Sequence, residues 1–286
     1  AHVADTAFQR QYRQEFVAGF EDRQSILRAT TVQEAVIKGN EAVFLVADSG
    51  SAIAVTRGVN GLIPARADSL TQTTATLREY HDLVRKTDFN IFASQGDQRR
   101  IMQMTSMGTI NRQIDDLIIT ELDTATNDTG TAQIGSFDLV NFALTILGNN
   151  YVDVSDVDNL FGVITPGMHG YLMQTPEYAS ADYVEVRPLT GPIRKFRRWA
   201  GVNWLIHPRL TNSIGDGGTS TSEQCFVYHR NAIGCAVDTA GVDARAGYDE
   251  EQAYSFARTS IHMGAARLQN RGIVMIRHDG SGYAAA

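Results

Sequence analysis

Cys225, His229 and Cys235 are the residues whose types could hold a metal ion. On a strand, positions 225 and 229 face the same side. Zinc, however, asks for four ligands at tight spacing, and the sequence has neither a CxxC nor an HxxxH pair. Buried thiols in a sheet are the simpler expectation. Two cysteines make no disulfide framework. One bridge between them stays open as an alternative, with reduced thiols in a cytosolic protein expected. The runs GSFD, TPGMHGY and GDGG are glycine-containing, but a phosphate cradle needs GxxxxGK[ST], and Lys38, Lys86 and Lys195 lie in no such setting. No GxSxG elbow is present. The acid pairs Asp115 with Asp116 and Glu250 with Glu251 are sequence neighbours, so they diverge on a helix instead of converging on a substrate. No catalytic, cofactor or metal residue is therefore assigned.

The one dense basic patch is RKFRRW, which holds Arg194, Lys195, Arg197 and Arg198 around Phe196. Arginines interleaved with aromatics can clamp phosphates and stack bases. On a strand, though, Lys195 and Arg197 share one face while Arg194 and Arg198 share the other, which splits the patch. Arginine makes up 22 of the 25 basic residues, and its planar fork suits carboxylates across protein interfaces. Contacts between subunits are favoured over nucleic-acid contacts.

Several elements must position these residues. Phe8, Tyr12, Phe16 and Phe20 recur every four residues and form one stripe of a helix. A terminal helix docked on its own domain and an arm docked on a neighbouring subunit fit that stripe equally. From Glu41 to about Asp88 the pattern changes to strands: AVFLVA, DSGS, AIAVTR, GVNG, a Pro-containing stretch, then TQTTATLREYHDLV. This predicts a hairpin with long arms and an irregular tip. Between Asp48 and Asp68 its sizeable aliphatics are Ile53, Val55, Val59, Leu62 and Ile63, so the tip has little core of its own.

The strongest helical signal follows. Ser94 with Asp97 reads as a variant capping box, and Met104, Met107, Ile110, Ile114, Leu117, Ile118 and Leu122 recur at three- and four-residue steps. A helix from about Gln95 to Thr124 would be roughly 45 Å long. FDLVNFALTILGNN predicts a shorter amphipathic helix closed by Gly148 and Asn149, and LFGVIT a buried strand leading through Pro166 into a helix. Residues 183–208 alternate in patches, TNSIGDGGTSTS reads as a flexible loop, and CFVYHR as a strand. The chain ends with EEQAYSFARTSIHMGAARLQ and the strand GIVMIR.

The chain has 286 residues, enough to bury about 75% of its unfolded surface without a staple. Its formal net charge of -7 argues against a dedicated nucleic-acid binder, although an acidic wall also suits a container that repels packed phosphate. No aliphatic run approaches bilayer length. AHVADTAFQRQYRQEF lacks the basic start and apolar stretch of a signal peptide, so synthesis and retention in the cytoplasm are expected.

The run TATLREYHDLVRKTDFNIFASQGDQRRIMQMTSMGTINRQIDDLIITEL resembles coat proteins of tailed bacteriophages with the Hong Kong 97-type fold. In that family a strand enters a long helix, near whose end lies an R-x-x-D-x-x-I-I motif, matched by Arg112, Asp115, Ile118 and Ile119. AVFLVADSGSAIAVTRGVNGLIPARADS resembles the family's extended loop, LFGVITPGMHGYLMQ its strand-turn-helix in the axial domain, and CFVYHRNAIGCAV its late strand. The likeness covers residues 10 to 278 in order.

It implies an α+β fold: an N-terminal arm (1–36), an extended β-hairpin loop (37–88), a peripheral domain with a long spine helix (89–135), an axial domain (136–250) and a C-terminal return to the sheet (251–286). It also implies a major capsid protein, not an enzyme, made in the bacterial host cytoplasm and located in the virion capsid. Its copies would assemble as hexamers and pentamers into an icosahedral shell enclosing double-stranded DNA without sequence-specific binding. A portal and, given the short region ahead of the loop, a separate scaffolding protein are implied as partners; no membrane or cofactor is. The family's lysine-to-asparagine cross-link is not carried over, because Lys38 sits at the base of the loop. Arg57, Arg66, Arg194, Lys195, Arg197 and Arg198 are the candidate contacts between subunits. Two rival readings are an encapsulin-type nanocompartment shell and an acidic cytosolic α+β enzyme without a local motif.

Overall fold

Apolar residues four apart on the predicted spine fold as a helix, α1 (Gln98–Asp123), in the computed structural model. It describes residues 25–36, 39–48, 52–66, 69–87, 98–176, 197–238 and 243–284. Ile110, Ile114, Ile118 and Leu122 are buried, and the row continues upward to Ser106. Met107, expected on this stripe, is exposed instead. It lies about 100° around the helix from Ser106, off the four-residue row. The expected start at Gln95 and the Ser94 to Asp97 cap lie outside the described residues.

The described chain divides into two compact units. One gathers residues 79–87, 98–113 and 243–261. It contains β4 (Arg78–Thr87) and β10 (Asp243–Asp249), which runs antiparallel to residues 254–260 of β11 (Tyr254–Arg267). Asp249 accepts from the amides of Glu251 and Gln252 in the connecting turn. β4 pairs with β11, and the Arg85 guanidinium sits 4.9 Å from the centre of the Tyr254 ring.

The other unit holds residues 25–78, 114–238 and 262–284 of the described chain. Its larger sheet is built around β5 (Leu160–Ile164), buried at every position as its unbroken apolar run requires. β5 lies between β8 (Glu223–His229), antiparallel to it, and β7 (Val202–Ile206), parallel to it. β12 (Ile273–His278) flanks β8, and β6 (Arg197–Trp199) flanks β7. Helix α2 (Phe137–Asn149) lies against β12. The Ser136 hydroxyl caps it, accepting from Leu139 N at 3.3 Å. Its end differs slightly from expectation: Gly148 and Asn149 remain helical, and the chain turns at Tyr151, whose φ is 58°. Thr165 caps α3 (Pro166–Leu172), with Pro166 in the first turn where its missing N–H costs nothing.

The loop TNSIGDGGTSTS, read as flexible, folds back on itself. Ser220 N donates to Asn212 O at 3.0 Å and Gly218 N to Ser213 O at 2.8 Å, while the Ser213 hydroxyl reaches Pro208 O at 2.7 Å. Left-handed conformations at Asn212, Gly217 and Ser220 make this reversal.

In the smaller sheet of this unit β1 (Val32–Val36) runs parallel to β9 (Ile233–Asp238), and residues 263–267 of β11 run antiparallel on its other side. The predicted hairpin is formed by β2 (Glu41–Asp48) and β3 (Ser69–Thr76), in register from Glu41 opposite Thr76 to Asp48 opposite Ser69. TTATLREYHDLV does not continue as one strand. It breaks at Leu77, whose N–H donates to Asn40 O at 2.8 Å, before β4 begins. AIAVTR, expected as a strand, has no strand partner among the described residues and lies exposed in the tip.

Candidate assembly interface

The hairpin has two faces of opposite fate. Ala42 and Phe44 on β2 and Ala75 on β3 point to one side and are buried with Ala236 of β9 and Ala266 of β11. The Phe44 ring lies on Gly234: a Cβ there would meet ring carbon Cζ at 2.8 Å. Gly264 is equally constrained, since its Cβ would stand 2.3 Å from the carbonyl oxygen of Thr76. Bare backbone at these two positions lets the hairpin base sit flush on the sheet.

On the opposite face Val43, Leu45 and Leu70 stand in solvent, with Leu45 and Leu70 70% and 69% exposed. The tip extends this surface: Ile53 and Leu62 are 87% and 74% exposed, and Gly58 and Leu62 close a turn through a 3.0 Å hydrogen bond. The tip aliphatics singled out in the sequence are thus uncovered. Val43, Leu45 and Leu70 were missed, although for the first two the signal was present: AVFLVA is apolar at alternate and intervening positions, so an apolar row had to lie on each face of the strand. Arg57 and Arg66 are exposed on the same tip.

RKFRRW enters the described chain at Arg197, and Arg194 and Lys195 lie outside the described residues. Trp199 at its end is core, 5.7 Å from Phe137 and 6.1 Å from Trp204 between ring centres. Its carbonyl accepts the Trp204 indole N–H at 3.0 Å. Arg198 faces outward and meets partners of its own chain, Asp158 at 2.8 Å and Asn203 Oδ1 at 3.3 Å. Both members of the Arg198–Asp158 pair are well exposed, so it contributes less than about 1 kcal/mol.

The three metal-type residues do not converge. Cys225 and His229 are on β8, whereas Cys235 is on β9 in the other sheet. Both thiols are free. Burial pushes Cys225 up to about 12 and Cys235 up to about 11, so both stay protonated. His229 Nε2 faces Asp156 at 3.4 Å. Among the described residues no group of side chains could hold a metal ion, and no helix is long and apolar enough to cross a membrane.

The acid pair on α1 does diverge. Asp116 meets Arg209 at 3.1 Å. Asp115, the acid of the R-x-x-D-x-x-I-I pattern, is 3% exposed. It accepts from Ser25 Oγ at 2.5 Å, Ile26 N at 3.0 Å and Leu27 N at 3.1 Å, and His207 Nε2 lies 3.6 Å away. Burial works against its charge, but the hydrogen bonds from His207, Ser25, Ile26 and Leu27 outweigh it, and its pKa lies below the ordinary aspartate value.

In this mixed α+β protein the hairpin thus joins a small buried anchor to a long exposed apolar face. The same fold occurs in solved structures. One from Mycobacterium phage Che8 is 15% identical with a TM-score of 0.73, over 96% of this chain and 98% of the other. The capsid of a native GTA particle gives 12% and 0.72, over 95% of each chain. That of the cyanophage P-SCSP1u gives 12% and 0.71, over 95% and 93%. No curated protein sequence is significantly similar. The family described as phage capsid protein matches residues 4–280, and the chain belongs to it. It is a structural component of the virion shell, not an enzyme.

Proposed function

We propose that copies of this chain close into an icosahedral shell of hexamers and pentamers around double-stranded DNA, and that the β2–β3 hairpin is the strap between neighbouring copies. The carrying observation is the hairpin's uncovered outer face, where Val43, Leu45, Leu70 and the tip aliphatics stand in solvent. A two-stranded hairpin is marginal by itself in water, and such a surface gains order when a neighbouring copy covers it. Arg57 and Arg66 reach across to partner carboxylates, and Arg197 and Arg198, with Arg194 and Lys195, belong to a second contact. The divisions are those of the family resemblance: an arm to residue 36, the loop to 88, a peripheral domain to 135, an axial domain to 250 and a C-terminal return. The net charge of -7 suits a wall that holds DNA without gripping it. A scaffolding protein and a portal complete the assembly.

The test replaces residues 52–66 with a short Gly-Ser turn and compares melting temperature and particle yield with the parent. The monomer should melt within a few degrees of the parent and shells should fail to form. Unfolding of the monomer would place the tip in the intrachain core, and normal shells would make it dispensable; either refutes the strap. Nuclease-protected DNA inside purified particles separates a genome container from a protein-filled compartment.

A further inference from the structure

We propose that Asp115 is the positioning residue at the base of the N-terminal arm: its buried carboxylate gathers the chain at residues 25–27 and so fixes the point from which the arm starts. This rests on the capsid reading, with the arm docked on a neighbouring copy, one of the two placements that its aromatic stripe fits.

At the turn Arg28–Thr30 Leu27 supplies no side-chain cap, and the local bond runs from Arg28 N to the Ser25 hydroxyl at 3.2 Å. Asp115, 88 to 90 positions further along the chain, accepts in turn from that hydroxyl and from the N–H groups of Ile26 and Leu27. Behind the turn other groups hold the segment. The Thr30 hydroxyl donates to Leu27 O at 2.7 Å, which leaves the Tyr228 hydroxyl as donor in their 2.5 Å contact. Arg230 Nε reaches Thr31 O at 3.4 Å, and β1 then joins the sheet. Ahead of Thr30, Asp115 is the tertiary hydrogen-bond anchor among the described residues.

The chemistry calls for a carboxylate specifically. His207 Nδ1 accepts from Arg209 N at 3.2 Å, so its ring proton sits on Nε2, facing Asp115. Two backbone N–H groups, one hydroxyl and this imidazole N–H therefore converge on two oxygens. An asparagine would offer one oxygen and turn an NH2 group toward donors.

The test follows amide hydrogen exchange in the full chain before assembly. In Asp115→Asn the amides of residues 26–28 should exchange roughly tenfold faster, as expected for losing a buried acceptor, while those of residues 225–228 in β8 keep their rate. Ser25→Ala, which removes one of the donors to Asp115 together with the acceptor of the Arg28 N–H, should show the same local pattern more weakly at residues 26 and 27 and serves if Asp115→Asn fails to fold. On co-expression with the scaffold, particle yield should fall severalfold for Asp115→Asn and at least as far for deletion of residues 1–24. Unchanged exchange at 26–28, acceleration of β8 in step with it, or loosened residues 26–28 with normal yield would each overturn the proposal. Normal yield from the deletion alone would sink the arm reading while leaving the exchange result to judge the anchor.

Discussion

Truncating Phe44 to alanine should release the hairpin base while leaving the rest of the fold standing. Phe44 is 7% exposed and is the one large side chain among the buried members of its cluster, with Ala42, Ala75, Ala236 and Ala266, while Val32, Val36, Leu77 and Leu268 pack around them partly buried. Transfer alone is worth about 1.5–3 kcal/mol for a side chain so buried. The cavity adds to this, because the alanine methyls and the Gly234 backbone beneath the ring cannot move in to fill it, and Phe-to-Ala changes in cores cost about 3–5 kcal/mol. A local loss of about 3 kcal/mol shifts the balance between docked and detached hairpin by about two orders of magnitude. Hydrogen exchange of the β2 and β3 amides reads this directly and should accelerate about a hundredfold, with β5 and β8 unaffected. Val43→Ala, on the outer face, should leave exchange and monomer stability within about 0.5 kcal/mol of the parent yet lower particle yield. If β2 and β3 amides in Phe44→Ala keep their parental protection, the cluster is not what holds the hairpin, and the division into an anchoring face and an outer face is wrong.

Ile114→Asp should abolish soluble folding by burying an unpaired carboxylate, whereas Thr120→Asp on the exposed side of α1 should melt within a few degrees of the parent. Arg197→Ala with Arg198→Ala should reduce the yield of empty particles formed without DNA; normal empty particles with impaired packaging would assign the patch to nucleic acid instead. Acid should act in two stages on melting temperature. Burial raises Asp116 and Asp123, the latter despite a hydrogen bond from Thr211, so these groups favour the fold more as pH falls through their raised pKa values toward the ordinary carboxylate range. Asp115 is depressed, so its contribution is complete above its ordinary pKa and is lost only as pH falls below that range through its folded value. Asp115→Asn should remove that last acid-induced loss; an unchanged acid limb would show that another group controls it.

The elements read from sequence are those whose information is local. The four-residue row of α1, Pro166 at the head of α3 and the unbroken apolar run of β5 each lie within a few residues of the structure they specify. What escaped depends on distant partners. Phe44 announces a buried face, but its seat at Gly234 is 190 positions away, and nothing near either residue couples them. Asp115 stood out through a family resemblance, yet its role appears only when residues 25–27 are beside it. EEQAYSFARTSIHMGAARLQ mixes alanine, arginine and serine with few β-branched residues. Its long strand is dictated by pairing with β9 and β10, not by intrinsic preference. The pairing of Arg198 with Asp158, 40 positions earlier, likewise has no signal near either residue.

Both tryptophans of the chain, Trp199 and Trp204, are buried side by side on β6 and β7. Intrinsic fluorescence excited at the indole band therefore reports on a single edge of one sheet. A cooperative fluorescence transition measures the melting of that edge and is blind to the hairpin peeling from its seat or the residues around Ser25 coming loose. A dye placed near Leu70, or an indole introduced at Phe44, would make the optically silent part of the molecule visible.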